Sequence, residues 1–301
     1  MPITALIFTL IASLLVWLGG RHDTTRAHRL TAVVISLLLA YPLLTLLPKL
    51  SLLPAARSTS DATVDSAAFL QWIWLAGAIL LSIRVLVATL GLERWRSQSE
   101  PIEQVPLGRR QVEIRSLSTL HSPVAAGVLR PVVFVPEDWN SWRAEVREMV
   151  LAHELAHHRR FDPLWRSLGA LACALHWFNP LVWWLVRHHA TQAEFACDAM
   201  VIRNGVKARS YATLLCDLAS SQPSPLPAVA MSERSSLARR VTRLMNPVGT
   251  ISPAISAAMI SIVMITAVIM AVIKRAEPAP SAVPALEVQT RLSANPFPGN
   301  P

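Results

Sequence analysis

The residues best suited to chemistry in this sequence lie at positions 151–157, which read Leu-Ala-His-Glu-Leu-Ala-His. His153 and His157 are four residues apart, so a helix places both imidazoles on one face, one turn apart, where they can bind one zinc ion. Glu154 lies beside them and can act as the base that takes a proton from an attacking water molecule. A five-residue pattern with two free positions also arises by chance, so the motif needs support from the rest of the chain.

A third metal ligand has to come from a later part of the chain, and Glu194 is the candidate. It follows His157 by 37 residues. Asp198 lies one helical turn after Glu194, where its carboxylate can orient a ligand imidazole or accept a hydrogen bond from an arginine. The alternative is a solvated acidic helix face. The apolar residues at 195–197 argue against that alternative, because buried carboxylates without a cation would be costly.

Other polar residues of this region have no role that the sequence assigns. Four of them could stabilise the negative charge that develops on a peptide carbonyl oxygen during hydrolysis: Arg187, His188, His189 and Tyr211. The sequence does not choose among them. The three cysteines lack the paired spacing of metal ligands and are too few for a disulfide framework, so we expect them to be reduced.

The composition of the whole chain is that of a membrane protein. Its 301 residues are 52% hydrophobic and 16% charged, with a mean hydropathy of +0.40, whereas a soluble domain carries about 25% charged residues. Because roughly 20 apolar residues cross the hydrocarbon core of a bilayer, four apolar runs are predicted spans: about 3–18, 30–47, 67–92 and 251–273. This composition excludes a disordered protein.

The distribution of basic residues predicts the orientation of these spans. Arginine and lysine are more frequent in the loop 19–29, in the segment 93–110 and just before the fourth run than in the loop 48–66 or just beyond residue 273. By the positive-inside rule, both termini lie outside and residues 93–250 lie in the cytoplasm. The formal charge of +9 then reflects this bias, and no direct nucleic-acid partner is expected.

Arg84 interrupts the third apolar run. A charge at membrane depth marks a functional candidate. Arg84 also lies nearer the cytoplasmic end of the run, where a long side chain can reach the interface. The second interpretation is favoured, and the first stays open.

Residues 93–250 are predicted to form a compact α+β domain. A polar linker over 93–108 leaves the membrane, and Val112–Ile114 and Val132–Val135 have the composition of short strands. From Trp142 onward, apolar residues and the motif residues recur at the three-to-four spacing of a helix.

The apolar stretch 164–186 follows the metal motif. Asn179-Pro180 breaks it into two pieces, each too short to span a membrane, so we expect a helical hairpin in the core or at the membrane face. The alternative is a fifth span. It would place His157 and Glu194 on opposite sides of the membrane.

Taken in order, these motifs resemble the BlaR/MecR-type family of membrane zinc metallopeptidases, the antirepressor proteases of β-lactam-resistance signalling. The resemblance covers roughly residues 1–273. It is carried by Ser122-Pro123 with Gly127, the segments 130–136, 153–157, 159–162, 177–183 and 194–198, and Tyr211-Ala212. This set is far more specific than the zinc motif alone.

Pattern and resemblance together predict a mainly α membrane protein. Three transmembrane helices occupy residues 1–92, a cytoplasmic α+β zincin-like metallopeptidase domain occupies 93–250, and the fourth transmembrane helix occupies 251–273. The expected site consists of catalytic Glu154, the Zn²⁺ ligands His153, His157 and Glu194, and the supporting carboxylates Asp162 and Asp198. The strand formed by Val132, Val133, Phe134 and Val135 is expected to align the substrate backbone by β-addition.

One departure from the family concerns the C-terminal end. Its best-known members carry a penicillin-binding sensor domain after the fourth span, whereas residues 274–301 hold no Ser-x-x-Lys motif and are rich in proline. This segment is predicted to be a disordered extracytoplasmic tail. Direct β-lactam sensing by this chain is therefore not expected.

The predicted function is a zinc endopeptidase of the inner membrane that cuts a protein substrate at the cytoplasmic face during signal transduction. The resemblance implies a cytoplasmic transcriptional repressor as substrate. The other expected partners are a separate sensor protein, a second copy of the chain and the lipid bilayer. Two alternatives stay open: a non-proteolytic signalling subunit with a structural zinc site, and a membrane quality-control protease.

Overall fold

The computed structural model describes residues 3–20, 24–46, 64–220, 227–246 and 252–273. The predicted C-terminal tail lies outside these ranges. The helices are α1 (Ile3–Gly20), α2 (Thr24–Leu46), α3 (Val64–Gln98), α4 (Ala144–Arg159), α5 (Asp162–Leu175), α6 (Pro180–Arg203), α7 (Ala208–Ser220), α8 (Pro227–Met245) and α9 (Pro253–Ile273). The strands are β1 (Glu100–Leu107), β2 (Arg110–Ser116), β3 (Val124–Ala126) and β4 (Val132–Val135).

Helix α3 is long and apolar enough to cross a membrane, and it is the one helix of the described residues that meets this test. Only 6% of its most apolar window is buried within the protein. Large side chains such as Trp72 and Leu80 therefore point outward, a surface that suits lipid rather than water.

The other three predicted spans are also helical. Helices α1, α2 and α9 contain the shorter apolar stretches Phe8–Leu18, Ala27–Ala40 and Ala257–Ala267. That each of these helices crosses the membrane stays a prediction.

The apolar stretch after the metal motif forms a hairpin of helices α5 and α6, as predicted. Asn179 caps the second helix, since its side-chain oxygen accepts a hydrogen bond from the Leu181 amide at 3.0 Å. The tip of the hairpin is held by helices α1 and α3: the Asn179 side-chain amide donates to Thr9 Oγ1, and the Trp74 indole donates to the Leu175 carbonyl. A fifth span is wrong, because α6 returns toward α4.

One hydrophobic cluster joins this hairpin to the predicted membrane helices. It contains buried residues of α1, α2, α5, α6 and α9: Phe8, Ala12, Val16, Leu30, Val34, Ile35, Leu38, Ala172, Cys173, Val182, Leu185 and Val263. Helices α1, α2 and α9, which are predicted to cross the membrane, thus pack directly against the hairpin.

The strands form a single sheet in the order β1-β2-β4-β3, in which β2 and β4 are parallel and the other pairs are antiparallel. The predicted polar linker over 93–108 is wrong. Helix α3 continues to Gln98, and β1 pairs with β2 through a turn at Gly108, whose φ of +65° suits glycine. The pairing with β2, rather than apolar content, makes this polar segment a strand.

Strand β4 lies inside the sheet with all four residues buried. Because β2 pairs with one of its edges and β3 with the other, β4 has no free backbone edge. The prediction that Val132–Val135 receives the substrate by β-addition is therefore wrong. The free edge beside helix α4 belongs to β3. The chain passes from β3 to β4 through a turn at Gly127, where an added Cβ would collide with the Arg130 carbonyl oxygen.

Both faces of the sheet are covered. On one face, side chains of β2 and β4 pack with helices α4, α6 and α7, through residues that include Val150, Val201 and Tyr211. On the other face, Phe134 meets the ring of Trp95 at the end of α3, with centroids 5.8 Å apart. The sheet thereby fixes α4, which carries the metal motif, relative to the membrane helix α3.

Candidate metal centre

Helix α4 carries His153 and His157, helix α6 carries Glu194, and the structure brings the three side chains together. His153 Nε2 lies 3.4 Å from Glu194 Oε2, and His157 Nε2 lies 3.5 Å from Glu194 Oε1. One ligand atom from each residue lies within 4.8 Å of the other two. The two histidines, one turn apart on α4, thus face the Glu194 carboxylate across the position that a metal ion would occupy.

The donor set fits zinc. Two imidazole nitrogens and one carboxylate are common ligands of catalytic zinc, and three protein ligands leave a position for water or substrate. Burial lowers the pKa of His153, but its hydrogen bonds with Asp198 and Glu194 and nearby negative charge raise it to about 10. Burial likewise opposes ionisation of Glu194, but the two histidines and Arg240 hold the pKa of that carboxyl well below its usual range. The site therefore favours positive charge between its ligands.

His153 is oriented by groups of the peptidase domain. Its Nδ1 lies 3.2 Å from Asp198 Oδ1 and 2.9 Å from the Tyr211 hydroxyl, which donates to the same Asp198 oxygen. Arg240 of α8 donates to both oxygens of Asp198, at 2.8 and 2.6 Å. Burial raises the pKa of Asp198, but the bonds to Arg240 and His153 hold it below its usual range.

His157 is oriented by a carboxylate that also contacts helix α2, one of the predicted membrane helices. Its Nδ1 lies 2.8 Å from Asp162 Oδ2. The other oxygen of Asp162 lies 3.1 Å from Nε2 of His28, in helix α2. Burial opposes ionisation of Asp162, but the hydrogen bonds with His157 and His28 hold its pKa far below its usual range. Both histidines thus present Nε2 to the metal position and Nδ1 to a carboxylate, the arrangement expected of zinc ligands.

A second group of donors lies behind His157. Cys197 Sγ lies 3.3 Å from His157 Nδ1 and donates to Asp162 at 3.5 Å, so the three residues could hold a metal by distance alone. Burial and the negative charge of Asp162 raise the pKa of the Cys197 thiol. A neutral thiol is a poor zinc ligand, so the group of His153, His157 and Glu194 is the better candidate.

Glu154 lies in the same cavity as the ligands, a space of about 900 Å³. Its Oε2 accepts a hydrogen bond of 2.7 Å from the Ala125 amide. Since Ala125 belongs to β3, the candidate base lies against the free edge of the sheet.

Four residues were candidates to stabilise the reacting carbonyl. Of these, Tyr211 lines the cavity, but its hydroxyl is engaged by Asp198. His188 stacks on Trp184, His189 is buried against His28, and Arg187 lines a different cavity. The sequence does not indicate Arg166, which lines the metal cavity and lies 3.3 Å from Glu194 Oε1.

Arg240 and His28 were also missed as site residues. In the sequence, Arg240 is one of several basic residues before the fourth apolar run, a pattern that indicates orientation only. His28 offered one signal, because it is an ionisable residue at the start of an apolar run. Neither residue has a sequence neighbour that marks it as part of a metal centre.

Comparison with known proteins agrees with this geometry. A family model described as BlaR1 peptidase M56 matches residues 6–244. Regulatory protein BlaR1 of Bacillus licheniformis is 27% identical to this chain over 202 residues, an alignment that covers 62% of this chain and 33% of that protein. The chain spans about a third of the length of this relative. The resemblance stated from the motifs is confirmed.

Proposed function

This chain belongs to the BlaR1 peptidase M56 family, and from that premise we propose that it is an integral-membrane zinc endopeptidase that cleaves a protein substrate at the cytoplasmic face. Family membership and the exposed apolar helix α3 indicate a membrane peptidase. The observation that supports the finer proposal is the convergence of His153, His157 and Glu194 beside Glu154, in a cavity large enough for a peptide.

Zn²⁺ would be held by His153, His157 and Glu194. When bound, it would polarise the scissile carbonyl group and make water more acidic. Asp198 and Asp162 keep the two imidazoles oriented, with Nε2 toward the ion.

Glu154 performs the proton transfers in this proposal. Its carboxylate takes a proton from the attacking water and gives it to the nitrogen of the leaving amine, so the carboxylate is regenerated at the end of the cycle. Arg166 is partly exposed at the wall of the cavity. We assign to it the stabilisation of negative charge on the reacting carbonyl oxygen.

The edge strand β3 is proposed to align the substrate. The Ala125 amide points away from β4 toward Glu154. A substrate carbonyl can replace this carboxylate contact and extend the sheet by one strand. This assignment replaces the one made for β4.

The direct test is metal analysis of the full chain purified in detergent. We expect about one zinc per chain, lost in the His153→Ala/His157→Ala double variant. Glu154→Gln should keep the zinc and lose proteolysis, whereas Glu148→Gln, an exposed position on the same helix, should keep both. Absence of bound metal would contradict the proposal, and zinc with unchanged signalling in Glu154→Gln would favour a structural site.

The substrate is proposed to be a cytoplasmic transcriptional repressor, cleaved after an extracytoplasmic signal that arrives through the helices or a separate sensor. The name of the relative, a regulatory protein, supports this choice. Proteomic comparison of cells that express the wild-type chain or Glu154→Gln tests it. A repressor fragment found only with the active form supports the proposal, whereas fragments from unfolded membrane proteins alone would indicate a quality-control protease.

The proposed topology decides which proteins can be substrates. It has four spans, both termini outside and the metal centre in the cytoplasm. Reporter fusions at Ser60 and Ala285 should report an outside location, and a fusion at Leu120 a cytoplasmic one. A cytoplasmic signal at Ala285 would contradict the orientation inferred from the basic residues.

A further inference from the structure

A second cavity, of about 1140 Å³, lies between helix α3 and the hairpin α5–α6. Its lining is mostly apolar and includes Leu81 and Val85 of α3, Ala170 of α5 and Val186 of α6. No candidate metal ligand lines it. Strand β3 separates it from the metal cavity, because Val124 and Ala125 border both spaces.

Although most of its wall is apolar, this cavity is also lined by an excess of basic side chains. One acidic residue, Glu93, and five arginines line it: Arg84, Arg96, Arg130, Arg166 and Arg187. Arg166 is paired with Glu194, but within the described part of the chain Arg84, Arg130 and Arg187 form no ion pair. These three arginines are exposed, and basic side chains at the surface of a membrane attract anionic headgroups, whereas the apolar wall favours acyl chains. The occupant that satisfies both features is amphiphilic and negatively charged.

Three of the arginines lie at similar depth along the bundle. The bond between Trp74 and the Leu175 carbonyl sets α3 and α5 side by side. Arg84 is ten residues from Trp74 and Arg166 is nine from Leu175, in opposite chain directions, so each lies about 14 to 15 Å from that bond at 1.5 Å per residue. Arg187 lies two turns into α6 from the same tip. The three residues therefore lie on the part of the bundle that is away from the hairpin tip and nearer the sheet.

We propose that this cavity binds an anionic phospholipid of the cytoplasmic leaflet. The phosphate lies at Arg84 and Arg187, and the acyl chains lie along the wall formed by Leu81, Val85 and Val186. A free phosphate would leave the apolar wall without a partner, and an apolar protein segment would leave the arginines without one. The choice of leaflet rests on the proposed topology, but the phosphate site does not use the peptidase activity, although Arg166 and strand β3 border both cavities.

Native mass spectrometry of the detergent-purified full chain tests the proposal. The chain is titrated with dioleoyl phosphatidylglycerol, with dioleoyl phosphatidylcholine and with inorganic phosphate. We expect a one-to-one adduct with phosphatidylglycerol, and an affinity about tenfold or more weaker in Arg84→Gln/Arg187→Gln, from the attraction lost with two basic residues. The matched control is Arg203→Gln/Arg209→Gln, two exposed positions outside the cavity, which should bind like the wild type.

A second variant keeps the test valid if the arginine variant folds poorly. Ala170→Trp fills the apolar part of the cavity and leaves the arginines in place, so it should also lose the adduct. Equal binding of phosphatidylcholine, displacement of the lipid by millimolar phosphate, or unchanged binding in both variants would overturn the proposal.

Photo-cross-linking from position 85 in native membranes distinguishes the remaining occupants. A benzoylphenylalanine in place of Val85 should give an adduct of phospholipid mass. Cross-linking to protein alone would assign the cavity to a protein segment and would overturn the lipid proposal.

Discussion

His153 and His157 of helix α4 have the same local arrangement, but they connect the candidate metal centre to different parts of the molecule. His153 Nδ1 contacts Asp198, which accepts hydrogen bonds from Arg240 of helix α8. His157 Nδ1 is hydrogen-bonded to Asp162, whose other oxygen is hydrogen-bonded to His28 of helix α2. One ligand is therefore fixed within the peptidase domain and the other is fixed to the predicted membrane helices.

The two supports also differ in strength. Arg240 makes two short hydrogen bonds to Asp198, and paired bonds between ions are among the strongest in proteins. Asp162 receives a single bond from His28, and Arg160 lies farther away, at 3.4 Å. A displacement of α2 would thus change the orientation of His157 before it disturbed His153.

The largest effect should come from removal of Arg240. Arg240→Ala leaves the buried Asp198 carboxylate without a cation, which costs about 3–5 kcal/mol for a broken buried pair. We expect a lower melting temperature and loss of bound zinc, measured by thermal unfolding and metal analysis. Arg239→Ala, at the exposed neighbouring position, should change neither. If both variants behaved alike, the domain-side support would be unimportant.

Neutral replacement of each aspartate compares the two supports directly. Asp198→Asn and Asp162→Asn should each weaken zinc affinity by roughly tenfold to a hundredfold. The Asp198 variant should be the weaker binder, because it also leaves Arg240 without its buried anion. Competition with a chelator measures both affinities. A larger loss in Asp162→Asn would reverse the order of strength inferred here.

The connection of the candidate metal centre to helix α2 is tested at His28. His28→Ala leaves one oxygen of the buried Asp162 carboxylate without its hydrogen bond, a cost of about 1–3 kcal/mol. We expect weaker zinc binding and a lower kcat, with partial recovery in His28→Gln, whose amide can donate to Asp162. Ser36→Ala, on the same helix, removes a bond only within that helix and is the control. Activity equal to the control in His28→Ala would break the proposed link.

The smallest effect is expected at Tyr211. Tyr211→Phe removes the contacts of the hydroxyl with Asp198 and with His153 Nδ1 while both bonds from Arg240 remain, so the cost is about 0.5–1.5 kcal/mol. Zinc content should be unchanged and kcat should fall severalfold at most. A loss as large as that in Glu154→Gln would show instead that the hydroxyl acts on the substrate.

Features that depend on neighbouring residues could be predicted from the sequence. The apolar runs became helices α1, α2, α3 and α9, and the break at Asn179-Pro180 became the tip of a hairpin. The spacing of His153 and His157 placed both on one face of α4, because helical geometry follows from position in the chain alone. The same regularity placed Asp198 one turn from Glu194.

The strand assignments show where local patterns fail. Strand β1 is polar, so its sequence resembles a linker, and only its pairing with β2 makes it a strand. Val132–Val135 is the most apolar strand and was therefore predicted correctly, but the same burial removes it from contact with substrate. The free edge beside the metal motif belongs to the three-residue strand β3. Strand order is a property of the assembled sheet.

The sequence by itself determined the apolar helices, the helix of the metal motif, the hairpin after it and the family, because each depends on residues that lie close together or follow in a fixed order. Only the tertiary structure decided which residues complete the site. His28 lies 134 residues from Asp162, and Arg240 lies 42 residues from Asp198. The partner of a buried charge is chosen by packing, since any arginine or histidine that the fold brings close enough can satisfy it. No local pattern records that choice.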